Sequence, residues 1–221
     1  MTNSAQKQLW WVAVAIIAVV LLRWHMPPAV RALFLMSPAM RVAVVLICLF
    51  SVFWSIASKN SAPAQSSESR FSRVFHLTVL NGGMLLLIFS VPGLTRRFLP
   101  SSPLLTVAGL AIEIAGILCA FWARHHLGRN WSGEVRIATG HQLVRSGPYR
   151  YIRHPIYTGF LAMYAGVMLV SGEMHALVAF AIIVLAYWRK LLLEEKFLSQ
   201  NFGPAWDDYR RDSWGLVPPL F

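Results

Sequence analysis

The chain has 221 residues, of which 57% are hydrophobic and only 13% are charged. An ordinary soluble domain carries about 25% charged residues, so this composition excludes a typical soluble fold, and it also excludes a disordered chain. Long uncharged runs recur along the whole sequence. We therefore interpret the chain as an integral membrane protein.

The net charge of +11 comes from 20 Lys and Arg residues against nine Asp and Glu residues. In a soluble protein this excess would suggest nucleic acid as a partner. Here the basic residues lie between apolar runs, which favours contact with anionic lipid head groups. We expect a membrane as the partner and no nucleic acid.

Six apolar runs predict an all-α fold, a polytopic membrane helical bundle of about six hydrophobic helices. The last two are short and close together, which predicts a tight helical hairpin. The polar stretch from Ser58 to Ser72 is expected to be an exposed loop. The runs are approximately Leu9–Leu22, Val42–Ala57, Val74–Val91, Leu104–Ala123, Ile156–Ser171 and Ala176–Trp188.

The basic residues are divided unequally between the two membrane faces. If the connections alternate, 15 of the 20 Lys and Arg residues lie on one side, which includes the segment from Arg124 to Arg153 and the C-terminal tail. The positive-inside rule then places both termini and that segment in the cytoplasm. We divide the chain into N-terminal transmembrane helices with three spans (1–100) and a core (101–221).

Polar residues are concentrated in two stretches that flank the hairpin, from His125 through Tyr157 and from Arg189 to Tyr209. Because a hairpin returns its two ends to the same membrane face, the two stretches should meet. We therefore predict a single site that contains the Arg153-His154-Pro155 run and the Glu194-Glu195 pair.

The first stretch has the pattern H-x-L-V-x-x-G-P-Y-x-x-x-R-H-P-x-Y-x-G from His141 to Gly159. The tail adds Glu194-Glu195, then Phe202-Gly203 and Tyr209. This combination resembles the signature of the isoprenylcysteine carboxyl methyltransferase and phospholipid methyltransferase superfamily of integral membrane enzymes. The resemblance covers roughly the last hundred residues.

The resemblance implies an S-adenosylmethionine-dependent methyltransferase whose core, 101–221, holds the cofactor in cytoplasmic segments. The acceptor would be a lipid or a prenylated small molecule or protein that enters from the bilayer. The family has an Arg four residues before its Glu pair, where this chain has Lys190 beside Arg189. The catalytic residues implied are Arg189, Lys190 and Glu195. The cofactor-binding residues implied are His141, Leu143, Val144, Gly147, Tyr149, Arg153, His154, Pro155, Tyr157, Glu194 and Glu195.

The residue chemistry favours the same cofactor. S-adenosylmethionine presents rings, hydroxyls, an ammonium and a carboxylate, so its site needs aromatic faces, acceptors and a cation. Trp131, Tyr149 and Tyr157 are candidate ring contacts, and Arg153 and His154 are candidate partners of the carboxylate. Pro155 is expected to begin the hairpin and to leave the carbonyls before it free to contact adenine.

Several alternatives stay open for the reaction. A carboxylate acceptor needs a cation to orient it, supplied by Arg189, Lys190 or Arg153, whereas an amine acceptor must lose a proton, with Glu195 as the base. The closest resemblance is to isoprenylcysteine carboxyl methylation, and the near alternative is N-methylation of a phospholipid amine. A nicotinamide-dependent membrane reductase and a non-catalytic membrane protein are further alternatives.

Other polar residues favour structural interpretations. No metal site is expected, because the adjacent His125 and His126 diverge on a helix and no third ligand lies nearby. Glu113 falls in the fourth span and must face protein, on the small-residue face of Gly109, Gly116 and Ala120. It is either a packing residue, with Asn81 as a candidate partner, or a polar element of a substrate tunnel. Head-group contact is expected for Arg129, Arg145 and Arg150.

Overall fold

The computed structural model describes residues 36–57, 64–128, 131, 136–138 and 143–217. Six α-helices dominate these ranges, and the predicted all-α fold is confirmed. A 3₁₀ turn (Gly147–Arg150) precedes the fourth helix, and two short strands, β1 (Ala64–Ser67) and β2 (Arg136–Ala138), pair antiparallel. The helices are α1 (Pro38–Ala57), α2 (Arg70–Ile88), α3 (Pro103–Leu127), α4 (Pro155–Ser171), α5 (Met174–Phe202) and α6 (Pro204–Arg211).

Four helices, α1, α2, α3 and α5, are long and apolar enough to cross a membrane. Helix α4 is apolar but has only 17 residues, about 25 Å at 1.5 Å per residue, which is less than a hydrocarbon core of about 30 Å. The chain is an integral membrane protein, as predicted. The predicted run Leu9–Leu22 lies outside the described residues.

Two sequence predictions about element boundaries are wrong. The final apolar helix was expected to end near Trp188, but α5 has 29 residues and continues to Phe202, because residues 189–202 are good helix formers without Pro or Gly. The expected loop from Ser58 to Ser72 contains β1 and the first turn of α2. Ser69 caps α2, since its hydroxyl accepts a hydrogen bond from Ser72 N.

Helices α3 and α4 pack closely through glycines. A Cβ atom added to Gly159 would lie 2.6 Å from the carbonyl oxygen of Gly116 and 2.7 Å from Ala120 N, and one added to Gly109 would lie 2.8 Å from Gly166 O. Small residues of this kind allow helix backbones to approach each other in lipid. The predicted packing of the small-residue face of α3 against another helix is confirmed.

Glu113 lies within this interface and is fully buried. A Cβ atom added to Gly166 would lie 2.7 Å from the Cβ of Glu113. Neither carboxyl oxygen has a hydrogen-bond partner among the residues that the structure describes. Asn81 is not its partner, because the Asn81 amide donates to Leu77 O at 2.7 Å on its own helix.

The turn between α4 and α5 is fixed at Gly172, which has a positive φ of 64°. Arg97 Nη1 donates to Ser171 O at 2.9 Å, and Met174 N donates to Arg96 O at 2.9 Å. These bonds hold the tip of the hairpin, so the start of α4 and the later part of α5 come together at its other end.

Candidate active site

The start of α4 is held by backbone hydrogen bonds to the C-terminal tail. Pro155 begins the helix as predicted, at a position where a missing N–H costs nothing. Immediately before it, Arg153 N donates to Trp214 O at 2.7 Å and His154 N donates to Gly215 O at 3.1 Å. The side chains of Arg153 and His154 therefore project from a fixed and buried backbone.

Glu195 is the centre of a buried ion-pair cluster on α5. Its Oε1 accepts a hydrogen bond from Arg153 Nε at 2.8 Å and lies 3.1 Å from His154 Nε2. Arg210 Nε lies 3.8 Å from its Oε2. The side chains of Arg153 and Glu195 are only 3% and 9% exposed, so solvent screens this pair weakly. The predicted proximity of the Arg-His-Pro run and the Glu pair is confirmed.

Glu194 lies on the more open side of this cluster, with 32% of its side chain exposed. The Tyr157 hydroxyl donates to Glu194 Oε2 at 2.6 Å, and His154 Nδ1 lies 3.6 Å from the same oxygen. The Tyr157 ring is parallel to the His154 ring, with centroids 5.5 Å apart. His154 therefore contacts both carboxylates, and Tyr157 supplies an aromatic face beside Glu194.

The environment of His154 favours its protonated form. Burial by itself would lower the pKa of His154, because it disfavours the charged ring. Hydrogen bonds and negative charge from Glu194 and Glu195 outweigh burial and raise the pKa above the ordinary value of 6.5. The cluster thus contains two cationic side chains, Arg153 and His154, paired with two carboxylates, Glu194 and Glu195.

This raised pKa predicts how stability depends on pH. Because the folded pKa lies above the unfolded one, His154 stabilises the fold fully below about pH 6.5, and this contribution is lost as pH rises through the folded pKa. We expect the apparent melting temperature of the detergent-solubilised protein to fall less steeply with pH in His154→Gln than in the wild type. The exposed His125→Gln serves as the control, and equal slopes in all three proteins would contradict this prediction.

A second contact of the tail places Tyr149 of the 3₁₀ turn against α6. The Tyr209 hydroxyl donates to Tyr149 O at 2.6 Å, and the Arg145 guanidinium lies 5.2 Å from the centroid of the Tyr209 ring. Arg145 also donates to Ala205 O. Burial raises the pKa of Tyr149 and of Tyr209. Both phenols therefore stay neutral, and the Tyr209 hydroxyl acts as a hydrogen-bond donor.

The two candidate cations on α5 lie in different surroundings. Arg189 Nη2 donates to Ser72 Oγ at 2.8 Å on α2, and its guanidinium lies 5.1 Å from the Phe75 ring centroid. Lys190 is close enough to Glu194 to interact with it electrostatically. Arg189 therefore joins α5 to α2 by a hydrogen bond, whereas Lys190 interacts electrostatically with both Glu194 and His76.

The second half of the chain matches a known family. The family model for phospholipid methyltransferase matches residues 104–205. Protein-S-isoprenylcysteine O-methyltransferase A of Arabidopsis thaliana is 31% identical over 136 residues, which are 59% of this chain and 66% of that protein. The chain is therefore similar to this superfamily of integral membrane methyltransferases over its second half. The Saccharomyces cerevisiae protein-S-isoprenylcysteine O-methyltransferase is 29% identical over 113 residues, which cover 50% of this chain and 47% of that protein.

The fold also matches a solved structure of a superfamily member. The eukaryotic intramembrane Ras methyltransferase ICMT superposes with a TM-score of 0.55 at 18% sequence identity, over 90% of this chain and 70% of that one. In sequence, the chain spans from about half to two thirds of the length of the curated relatives given above. The similarity in fold thus extends beyond the region in which sequence similarity is detected.

The remaining superfamily motif residues lie around the 3₁₀ turn. His141 lies outside the described residues, whereas Leu143 and Val144 are half-buried at the entrance to the turn. Gly147 has a φ of 58°, and a Cβ atom there would collide with the His126 ring. His126 is therefore a packing residue, and no group of three His, Cys, Asp or Glu residues suited to a metal occurs in the described ranges.

One prediction about the superfamily motif is wrong. The carbonyls before Pro155 were expected to be free, but three of them are used within the chain. Tyr149 O accepts from Tyr209, Tyr151 O accepts from Trp214 N at 2.9 Å, and His154 O accepts from Thr158 N at 3.1 Å. Residues of the C-terminal part bond to the carbonyls of Tyr149 and Tyr151, and the sequence carries no signal of that pairing.

Sequence reasoning missed three residues near the motif: Ser72 and His76 on α2, and Tyr187 on α5. The His76 ring packs edge-on against Tyr187, with centroids 5.6 Å apart, and Tyr187 lies 5.4 Å from Tyr157. A signal was available for His76, because an ionisable residue inside a transmembrane helix is rare and commonly functional.

Proposed function

We propose that the protein transfers a methyl group from S-adenosylmethionine to the carboxylate of a membrane-embedded prenylated cysteine. The observation that carries this proposal is the convergence of His154, Tyr157, Glu194 and Glu195 at the open end of the α4–α5 hairpin. The isoprenylcysteine methyltransferases among the relatives support the acceptor class.

The chemistry of this site fits the methyl donor. Glu194 keeps part of its carboxylate accessible and can accept hydrogen bonds from ribose hydroxyls or an ammonium, and the neighbouring Tyr157 ring offers a face for adenine. The sequence suggested Arg153 as a partner of the cofactor carboxylate, but we assign it another role. Its guanidinium holds Glu195 and donates to Ser213 O of the tail, so we assign it to positioning Glu195.

When bound, S-adenosylmethionine supplies a methyl group on a positively charged sulfur. Displacement at such a carbon needs little acid or base help, so the protein contributes orientation and electrostatics. In our proposal Glu194 holds the donor, and Arg189 holds the acceptor carboxylate in line. The alternative, N-methylation of a phospholipid amine with Glu195 as base, is less well supported, because Glu195 is engaged by Arg153 and His154.

Calorimetric titration of the purified protein with S-adenosylmethionine and with NADPH tests the donor site. We expect binding of S-adenosylmethionine only, weakened at least about tenfold by Tyr157→Ala or His154→Ala, equivalent to about 1.4 kcal/mol. Tyr151→Ala is the matched control, since Tyr151 is 61% exposed. Binding of NADPH alone would favour the reductase alternative, and unchanged affinity in both site variants would place the donor elsewhere.

We also propose that the active site and both termini face the cytoplasm, as the distribution of Lys and Arg indicates. Ser146 is exposed and precedes the 3₁₀ turn. A cysteine at Ser146, in a variant whose native Cys48 and Cys119 are replaced by Ser, should be labelled by an impermeant maleimide only after the cells are opened. Labelling of intact cells would show that the Ser146 segment faces the outside and would contradict this orientation.

A further inference from the structure

Two polar atoms at the α2–α5 interface are buried and have no hydrogen-bond partner among the described residues: Arg189 Nη1 and His76 Nδ1. The whole His76 residue is only 5% exposed. A buried polar group without a hydrogen-bond partner destabilises the fold. Two such atoms on facing helices, next to a candidate active site, point to a ligand that completes their hydrogen bonds.

The Arg189 guanidinium is held in place by two consecutive hydrogen bonds at the N-terminal end of α2. Its Nη2 donates to the Ser72 hydroxyl at 2.8 Å, and that hydroxyl donates to Glu68 Oε2 at 2.7 Å. The Phe75 ring covers the flat face of the guanidinium, with its centroid 5.1 Å from Arg189 Cζ. The guanidinium is therefore fixed while Nη1 keeps its capacity to donate to a carboxylate.

The hydrogen-bonding pattern of His76 assigns the opposite role to its Nδ1. The ring makes a hydrogen bond to the backbone of Ala186 on α5, and Nδ1 is the nitrogen without a partner. The other nitrogen, Nε2, thus carries the proton that a backbone carbonyl accepts, and Nδ1 is left as an acceptor. The interface offers one donor and one acceptor.

Aromatic contacts link this interface to the candidate donor site. Tyr187 contacts the His76 ring on one side and Tyr157 on the other, with centroid distances of 5.6 and 5.4 Å. Lys190 interacts electrostatically with both His76 and Glu194. Phe75, which covers Arg189, is 45% exposed, so the interface lies close to the outer surface of the bundle, from which a lipid-anchored acceptor arrives.

We propose that His76 and Arg189 bind the head group of the acceptor, an inference that rests on the proposed function. Arg189 Nη1 donates to the acceptor carboxylate. His76 Nδ1 accepts from the N–H on the α-carbon of the acceptor, the carbon that bears this carboxylate. The ligand class is a C-terminal amino acid whose nitrogen is acylated, with the lipid chain on its side chain. His76 is a specificity-determining residue, because an acceptor without that N–H leaves Nδ1 unpaired.

Two acceptors that differ only in the acetamido group that carries this N–H test the proposal: N-acetyl-S-farnesylcysteine and S-farnesylthiopropionic acid. Two substitutions of His76 separate the roles of its ring nitrogens. An Asn amide oxygen can take the place of Nδ1, whereas a Gln amide reaches the place of Nε2. We expect the wild type to favour the N-acetyl acceptor at least about tenfold in kcat/KM. His76→Gln should remove that preference by lowering kcat/KM for this acceptor alone, and His76→Asn should restore most of it.

Titration with S-adenosylmethionine shows that each variant is folded, and the exposed His125→Gln is the matched control. If a variant is unfolded, the wild-type protein alone tests the proposal. A wild-type ratio of kcat/KM near one between the two acceptors would overturn it. An unchanged preference in His76→Gln, or an equal loss for both acceptors, also overturns it while the methylation itself stands. Failure of the wild type to methylate either acceptor would instead overturn the proposed function, and the inference with it.

Discussion

Replacing Arg153 with Leu is expected to destabilise the folded protein by about 3 to 5 kcal/mol, the usual cost of removing one partner from a buried ion pair. Arg153 donates to Glu195 at 2.8 Å and also to the carbonyls of Arg210 and Ser213. Its loss leaves the Glu195 carboxylate with a weaker set of partners and removes two side-chain hydrogen bonds to the tail. Chemical unfolding in detergent, followed by tryptophan fluorescence, measures the change.

The matched control is Arg150→Leu, because Arg150 is exposed in the same segment. It should change stability by less than about 0.5 kcal/mol. In the double variant Arg153→Leu with Glu195→Leu, the ion pair is removed as a whole and His154 keeps Glu194 as a partner, so part of the stability should return. A loss below about 1 kcal/mol in Arg153→Leu, or additive losses in the double variant, would contradict the assigned ion pair.

Replacing Arg189 with Ala is expected to lower turnover on a prenylated cysteine about a hundredfold, or about 2.7 kcal/mol of transition-state stabilisation. The affinity for S-adenosylmethionine should stay within about twofold of the wild type, because the lost contact orients the acceptor and not the donor. Single-turnover kinetics together with calorimetric titration separate these two quantities.

Lys190→Ala is the matched comparison on the adjacent position. Arg189 is fixed by its hydrogen bond to Ser72 on α2, whereas Lys190 interacts electrostatically with Glu194 as well as with His76, so we expect the Lys190 variant to retain at least half of its turnover. An amine acceptor predicts a different pattern, in which neither variant loses activity and the rate rises with pH as the amine deprotonates. Full activity of Arg189→Ala on a prenylated cysteine would contradict the orienting role.

The parts of the fold that sequence predicts are those with a local signal. The apolar run Leu104–Ala123 predicts α3, and Glu113 with its glycine neighbours correctly predicts a helix face that packs closely on another helix. Pro155 predicts the start of α4. The proximity of His154 and Glu195 follows from the hairpin, since a hairpin brings its two ends together.

The parts that sequence does not predict depend on pairing between distant segments. Residues 214–216 bond to the backbone around His154 and to Thr158, and backbone bonds of this kind leave no pattern in the side chains. The pairing of α2 with α5 is also a long-range choice, so the meeting of Ser72 with Arg189 is visible only in three dimensions. For the same reason the sequence could not choose between Arg189 and Lys190.

The most direct test of the central claim is transfer of a labelled methyl group by the purified protein in lipid nanodiscs. S-adenosylmethionine carrying a ¹³C-methyl group is offered with N-acetyl-S-farnesylcysteine and phosphatidylethanolamine together, and the products are identified by mass spectrometry. We predict a base-labile ¹³C-methyl ester of the farnesylcysteine and no N-methylated lipid. A labelled methylamine on phosphatidylethanolamine, or no labelled product in the presence of bound S-adenosylmethionine, would contradict the proposed function.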